Sequence, residues 1–316
     1  MIGRALQLLP RAETPSGLLA DDCRQFGQFL GLTAAPKQVK AASGVVRRFL
    51  WAESIDQAGD LTTAAIQDYL GRLLAAGGSL KTAWNHRSAI SAFCGFLCDR
   101  GLLKANPCHA VKLRRPDEQL PRWLTDDEIE QVLHLATQHG IWPEVVLALS
   151  TGLRLSEMIR LRWDDIDLPR RALTVRKAKG RRPRVLPLSR SALEALEAQR
   201  LITGGFGYVF PARQTWRGGW RYVDRPRASN WWRRVLRPLQ DALPKFLAGT
   251  SASATGRGWH LLRHTFASRA AQGRGGRPAV SLYKLADWLG HRDVRTVRIY
   301  AHLQEGYDPD VEAASL

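Results

Sequence analysis

"TGLRLSEMIRLRW", residues 151–163, runs from the end of one helix through a tight turn into another. Gly152 closes the apolar segment "IWPEVVLALSTG" (141–152), as a glycine at a helix C-terminus commonly does, and Ser156 is placed to cap the helix that follows. Arg154 is left in the turn between them. An arginine held there by two packed helices is pre-organised to present its planar fork to a phosphate. In isolation a solvated surface arginine is the commoner explanation, so the flanking sequence has to decide.

Upstream, "LTDDEIEQVLHLATQHG" (124–140) reads as a helix capped by Thr125, with an acidic first turn as the helix dipole prefers. Downstream, "ALTVRKAKGRRPRVLPL" (172–188) places β-branched runs on both sides of a basic turn, which predicts a hairpin. A lysine on such a turn can reach a nucleic-acid groove or a leaving oxygen, although a basic turn alone more often binds backbone phosphate without specificity. Residues 204–258 are rich in Gly, Trp and Arg (Trp216, Trp220, Trp231, Trp232) and show little periodicity. Helix resumes at Trp259 with "WHLLRHTFASRAA" (259–271). There His260 and Arg263 share a face at i and i+3, which suits contact with an oxyanion. His260 and His264 have the i, i+4 spacing of a helical metal pair, but Leu261 stands where a zinc protease needs Glu, and no third ligand is evident. In "WLGHRDVRTVRIYAHL" (288–303), Gly290 ends a helix at His291, and Tyr300 follows nine residues later among three arginines.

The first third of the chain reads as helices: "SGLLADDCRQFGQFLGL" (16–32), "APKQVKAASGVVRRFLWA" (35–52) with Pro36 in a first turn, "LTTAAIQDYLGRLLAAGG" (61–78) and "SLKTAWNHRSAISAFCGFLCDRG" (79–101). "KLRRPDEQLPRWLT" (112–125) has two prolines, clustered charge and no periodicity. It marks a linker at 116–121 between a domain over 1–115 and another over 122–316.

Bulk properties narrow the function. Lys and Arg number 47 against 29 Asp and Glu, a formal net charge of +18, which favours a polyanionic partner, nucleic acid first. No basic amphipathic helix or lipidation signal supports the rival, an acidic membrane. The cysteines (Cys23, Cys94, Cys98, Cys108) form no C-x-x-C pair, and Cys94 and Cys98 lie in an apolar stripe, so buried free thiols are expected. The opening residues hold too short an apolar run for a signal peptide, and nothing approaches the ~20 apolar residues of a membrane span, so the reading is cytoplasmic.

One phenol, two arginines, a lysine and two histidines in a basic chain suit transesterification at a phosphodiester. That reaction needs a nucleophile, neutralisation of charge on the non-bridging oxygens, and a proton for the leaving alkoxide. Tyrosine suits the first role where bond energy is conserved, because a phosphotyrosyl ester can be attacked again by a DNA hydroxyl. "TGLRLSE", "HLLRHTFAS" and "LGH" followed nine residues on by "Y" stand in the order found in tyrosine recombinases of the phage-integrase family. The chain resembles that family over roughly residues 17–303, with a layout similar to Xer-type and mobile-element members.

The resemblance implies roles for named residues. Arg154 and Arg263 resemble the family's phosphate-clamping arginines, His260 its hydrogen-bonding or general-base histidine, His291 the residue assisting the scissile phosphate, and Tyr300 the nucleophile. Glu157 resembles the acidic residue supporting the first arginine. Counting back from Leu186 and Pro187 puts Lys179 where the general acid lies, with Lys177 as the alternative. The implied fold is a mainly α catalytic domain with a small β-sheet (α+β), joined to an N-terminal SAM-like helical bundle in a C-shaped clamp on double-stranded DNA. Arg47, Arg48, Lys81, His86 and Arg87 are then expected to face the duplex. Also implied are a homotetramer, strand exchange through a Holliday junction, and no need for ATP or a metal.

Two features depart from the pattern: the Trp- and Arg-rich stretch, and a glycine-rich insertion near 273–278 before "LGH". The acidic tail "AHLQEGYDPDVEAASL" (301–316) is expected to stay off DNA, with a short C-terminal helix docking on a neighbouring protomer. Three rival functions are less consistent with the sequence. A DNA-binding regulator on the same clamp would have lost the catalytic set, which is complete here. A carboxylate-metal transposase would rest on Asp164, Asp165 and Asp167, which sit too close together and lack a distant partner. A type IB topoisomerase would bring a larger clamp.

Overall fold

Three helices of the N-terminal unit start where the chain supplies a capping hydroxyl or a proline. The computed structural model describes residues 19–116, 122–176, 183–216, 219–223, 231–242, 257–273, 278–291 and 293–304. These fall into two units, 19–116 and 122–304. The first contains α1 (Leu19–Gly31), α2 (Pro36–Ala52), α3 (Thr63–Ala75) and α4 (Leu80–Asp99). Pro36 opens α2, the Thr62 hydroxyl accepts from the Ala65 amide, and the Ser79 hydroxyl accepts from the Thr82 amide. Their apolar faces meet in an aromatic core, where Phe26 packs edge-on against Phe93 and Phe49 against Tyr69, each pair with centroids 5.3 Å apart. Cys23, Cys94 and Cys108 are free and buried.

His86 belongs to this core. Its ring is 5% exposed, stacks on Tyr69 and shares a 3.0 Å hydrogen bond between Nδ1 and the Tyr69 hydroxyl. Burial pushes it down to about 4, so it is neutral. The expectation that His86 faces DNA is therefore corrected: it fills the stripe of Ala83, Ile90 and Phe93. Arg47 and Lys81 are exposed. Arg48 and Arg87 are half-buried, and Arg87 donates to the Cys108 carbonyl at 2.8 Å.

The second unit is mainly helical with a small antiparallel sheet. It holds α5 (Asp126–Gln138), α6 (Trp142–Thr151), α7 (Leu155–Met158), β1 (Ile166–Asp167), β2 (Ala172–Val175), β3 (Arg184–Pro187) and α8 (Arg190–Thr203). There follow β4 (Ala212–Trp216), β5 (Gly219–Val223), α9 (Arg237–Ala242), α10 (Arg257–Gln272), α11 (Leu282–Leu289) and a 3-10 helix, Val294–Leu303. Strands β1, β2 and β3 lie side by side, with Leu173 opposite Leu186 and Val175 opposite Arg184. This is the hairpin expected at 172–188. β4 pairs with β5 inside the stretch that showed little periodicity. From the same stretch, Trp231 is buried edge-on against Trp259, centroids 5.2 Å apart, and so packs the core.

Thr125 and Glu128 cap α5 reciprocally. Ser156 does not cap α7. That helix starts two residues earlier than such a cap would place it, with Arg154 at the cap position and Glu157 accepting the Arg154 amide at 2.8 Å, because a carboxylate at the third position can reach back to the amide ahead of the helix. Gly152 is required on two counts: its φ is +61°, and a Cβ there would lie 2.4 Å from the Phe266 ring of α10. The close approach of α6 and α10 depends on that missing carbon. Among the described residues no helix is long and apolar enough to cross a membrane.

Candidate active site

The turn after α6, the turn after α11 and one face of α10 bring the polar groups together. Arg263 on α10 is 5% exposed and donates to the carbonyls of Gly152 (2.6 Å) and Leu289 (2.5 Å). Its Nη2 also donates to His291 Nε2 at 3.0 Å. One guanidinium thus ties both turns to the helix. Arg154 donates to Glu157 Oε1 at 3.1 Å and to the Gly290 carbonyl at 3.2 Å.

The His291 tautomer follows from its partners. Nε2 accepts from Arg263, so the ring proton is on Nδ1 and goes to the Thr296 hydroxyl, which donates onward to the Asp293 carbonyl at 2.7 Å. A relay of hydrogen bonds therefore runs from Arg263 into the first turn of the 3-10 helix.

Arg184 was not among the residues singled out from sequence. It is buried on β3, pairs with Glu157 through two bonds of 3.1 and 2.9 Å, and donates to the Trp288 carbonyl at 2.8 Å. Burial alone would raise the Glu157 carboxyl, but the bonds and charge of Arg184, joined by Arg154, outweigh it and hold the group at about 2. Gly290 has φ +63°, and a Cβ there would stand 2.7 Å from Arg184 Nη1. The glycine of "LGH" is therefore needed for both turn and clearance. Alternation on β3 was the available signal: Arg184 lies two residues before the inward Leu186, and an inward arginine needs a partner.

Tyr300, 2% exposed, sits in a small cluster with Ala267, Ala271, Leu285, Ala286, Leu289 and Val297. Its hydroxyl is hydrogen-bonded to Nδ1 of His264, a residue considered from sequence only as half of a metal pair. Burial raises the phenol above its ordinary value and pushes His264 down to about 4. The exposed His260 lies one turn back, its ring centroid 6.2 Å from that of His264. Desolvation of its ring, then the charges of Arg263 and Arg154, lower its pKa. Arg263 itself is pushed down to about 9 by burial first and by Arg154 next, and so stays charged at neutral pH. Glu157 pairs with both Arg154 and Arg184, and Arg263, held by the Gly152 and Leu289 carbonyls, adds a third guanidinium to the cluster.

Lys179 and Lys177 lie outside the described residues, as do glycine-rich residues 274–277 and the tail beyond 304. Five residues singled out from sequence, Arg154, His260, Arg263, His291 and Tyr300, are carried by α10 and by the segments against which it packs.

Residues 122–306 match the family model described as "Phage integrase family". A tyrosine recombinase XerC from Xylella fastidiosa is 31% identical over 261 residues, covering 81% of this chain and 81% of the relative. A tyrosine recombinase XerC from Chlorobaculum tepidum is 25% identical over 325 residues, covering 89% of this chain and 91% of the relative. Among solved structures, a lambda integrase dimer bound to a COC′ core site superposes with a TM-score of 0.69 at 19% identity, covering 91% of this chain and 96% of that one. At that identity the superposition is a likeness of fold.

Proposed function

The chain belongs to the phage integrase family and is a site-specific tyrosine recombinase, and from that premise we propose how its own residues cleave and rejoin DNA. Tyr300 attacks the scissile phosphate of double-stranded DNA, giving a 3′-phosphotyrosyl intermediate and a free 5′-hydroxyl. Arg154 and Arg263 neutralise the non-bridging oxygens, with His260 and His291 hydrogen-bonding to the same phosphate. Lys179 protonates the departing 5′-oxygen. No metal or ATP enters the step, because arginines supply the charge and the ester conserves the bond energy.

The observation that carries this reading is a concentration of guanidiniums, Arg154, Arg184 and Arg263, held by helix-end carbonyls and Glu157, with the charge of Arg263 acting on the buried Tyr300. A phosphate brings negative charge to these guanidiniums, and in a desolvated site each such interaction is stronger than in water. The N-terminal helical unit contacts the duplex through Arg47, Arg48, Lys81 and Arg87. Four protomers pair two sites and exchange strands through a Holliday junction, the tail beyond 304 docking on a neighbour. The protein works in the cytoplasm, on nucleoid DNA.

The test is a nicked duplex carrying the recombination site. The native chain forms a denaturant-resistant adduct in the presence of EDTA, and Tyr300→Phe binds equally but forms none. An adduct formed by Tyr300→Phe, or one abolished by EDTA and restored by magnesium, overturns the reading.

A further inference from the structure

Two imidazoles stand one turn apart on α10, and the hydroxyl of Tyr300 is bonded to only one of them. His264 Nδ1 shares a hydrogen bond with that hydroxyl, and the two rings lie 6.1 Å apart. His260, the histidine that sequence reasoning singled out, is the more exposed of the two and stands a turn further back. We propose that His264 is the general base of the cleavage step, taking the phenol proton as Tyr300 attacks, a role distinct from phosphate binding by His260. The inference rests on the reading of Tyr300 as the nucleophile.

A group that removes a proton during attack must be within hydrogen-bond reach of it. With Tyr300 2% exposed, bulk water has little access to the hydroxyl. A protonated phenol has one hydrogen to donate, and in the proposed reactive arrangement His264 accepts it on Nδ1 and carries its own proton on Nε2. Burial, then the neighbouring charges of His260 and Arg263, keep that ring neutral at physiological pH, as an acceptor must be. The same burial holds the proton on the phenol in the free protein, so the pair is stored and unreactive. The groups facing it are His260 and Arg263 from α10, with Tyr300 itself from the 3-10 helix. A phosphate bound at the arginines adds negative charge close by. That charge favours the imidazolium, and the base gains strength when substrate is present.

The step balances. The bond from Tyr300 Oη to phosphorus forms and the bond from phosphorus to the 5′-oxygen breaks. The phenol proton passes to His264 Nδ1, and the 5′-oxygen takes its proton from the acid proposed at Lys179. On rejoining, the imidazolium returns its proton to the phenol.

His264→Asn keeps an acceptor near the Nδ1 position but cannot hold the proton. On the nicked duplex it should slow adduct formation by roughly 10²–10⁴-fold at saturating DNA, with DNA affinity unchanged. A ring-fluorinated tyrosine at position 300 has a more acidic phenol and should restore much of that loss. A 5′-bridging sulfur, which removes the need for the acid, should not. His264→Gln is the second variant, and in both the circular dichroism and DNA affinity must match the native chain. A rate equal to or above native, or a slowed variant rescued by the sulfur and not by fluorination, overturns the proposal. Failure of the nucleophile reading looks different: Tyr300→Phe would then still form an adduct.

Discussion

Tyr69 with His86 in the N-terminal unit and Tyr300 with His264 in the C-terminal unit are the same chemical pair in two settings. In each, the tyrosine is almost fully buried, the hydroxyl meets Nδ1, burial raises the phenol, and burial pushes the imidazole to about 4. Around Tyr69 lie Phe49 and a stacked ring at 21°, with Arg48 and Glu53 acting on the phenol in opposite directions. Around Tyr300 lie Ala267, Ala271 and Ala286 with Leu285, Leu289 and Val297, and among the described residues the charge acting on it is that of Arg263. A perturbed pair is thus not a site by itself. What separates the two is the arginine cluster of Arg154, Arg184 and Arg263, whose Arg263 acts on Tyr300.

The largest expected effect is at the cluster. Arg154→Ala and Arg263→Ala should each lower adduct formation by ~10²–10³-fold or more, since each removes charge stabilisation in a desolvated site. Lys179→Ala should be comparably slow on ordinary DNA and recover on a substrate with a 5′-bridging sulfur, while the arginine variants do not. Recovery by Lys177→Ala in place of Lys179→Ala would move the acid by two residues.

Next comes the support beneath the cluster. Removing one partner of a buried ion pair costs about 3–5 kcal/mol, so Arg184→Ala should destabilise the C-terminal unit by about that much in denaturant titration. A loss below about 1 kcal/mol would place Arg184 in water.

Smaller again is the N-terminal pair. Tyr69→Phe leaves His86 without its partner and should cost about 1–3 kcal/mol while leaving the rate of adduct formation unchanged. A slowed rate at native stability would erase the contrast between the pairs.

The smallest effect is in pH. His86 and His264 titrate near 4 when folded against an unfolded value of 6.5. A depressed pKa gives stability that is full above 6.5 and is lost as pH falls through 4. Glu157, at about 2 against 4.5, adds a second loss between those values, in the C-terminal unit alone. His86→Leu should flatten the first window for the N-terminal unit, followed by thermal melts at pH 7, 5 and 4.

Much of this fold was legible because its signals are local. Gly152 and Gly290 mark left-handed helix ends, Thr125 and Ser79 are caps, and β-branched runs flank the turn before β3. The misread features depend on what lies across the chain. Ser156 lost its capping role to Glu157, a carboxylate that also has Arg184 to satisfy. β4 has no apolar alternation and β5 only the brief Trp220, Arg221, Tyr222, too short a run for periodicity to mark a strand. His86 was expected to face DNA because the family resemblance puts its helix there, although the spacing of Ala83, His86, Ile90 and Phe93 puts it on the inward stripe. At the site, Arg154, Arg263 and His291 could be named from motifs, yet the parts played by His264 and Arg184 rest on contacts 36 and 27 residues distant in sequence.

The most direct measurement is to map the covalent bond in the native chain. After reaction with a nicked duplex, nuclease and trypsin digestion leaves a nucleotide on one peptide. Cleavage after Arg298 puts Tyr300 and Tyr307 on the same fragment, so fragmentation mass spectrometry must separate them. The expected result is a single nucleotide, joined through its 3′-phosphate to Tyr300. A nucleotide on Tyr307 or any other residue, or one joined through a 5′-phosphate, would contradict the central claim.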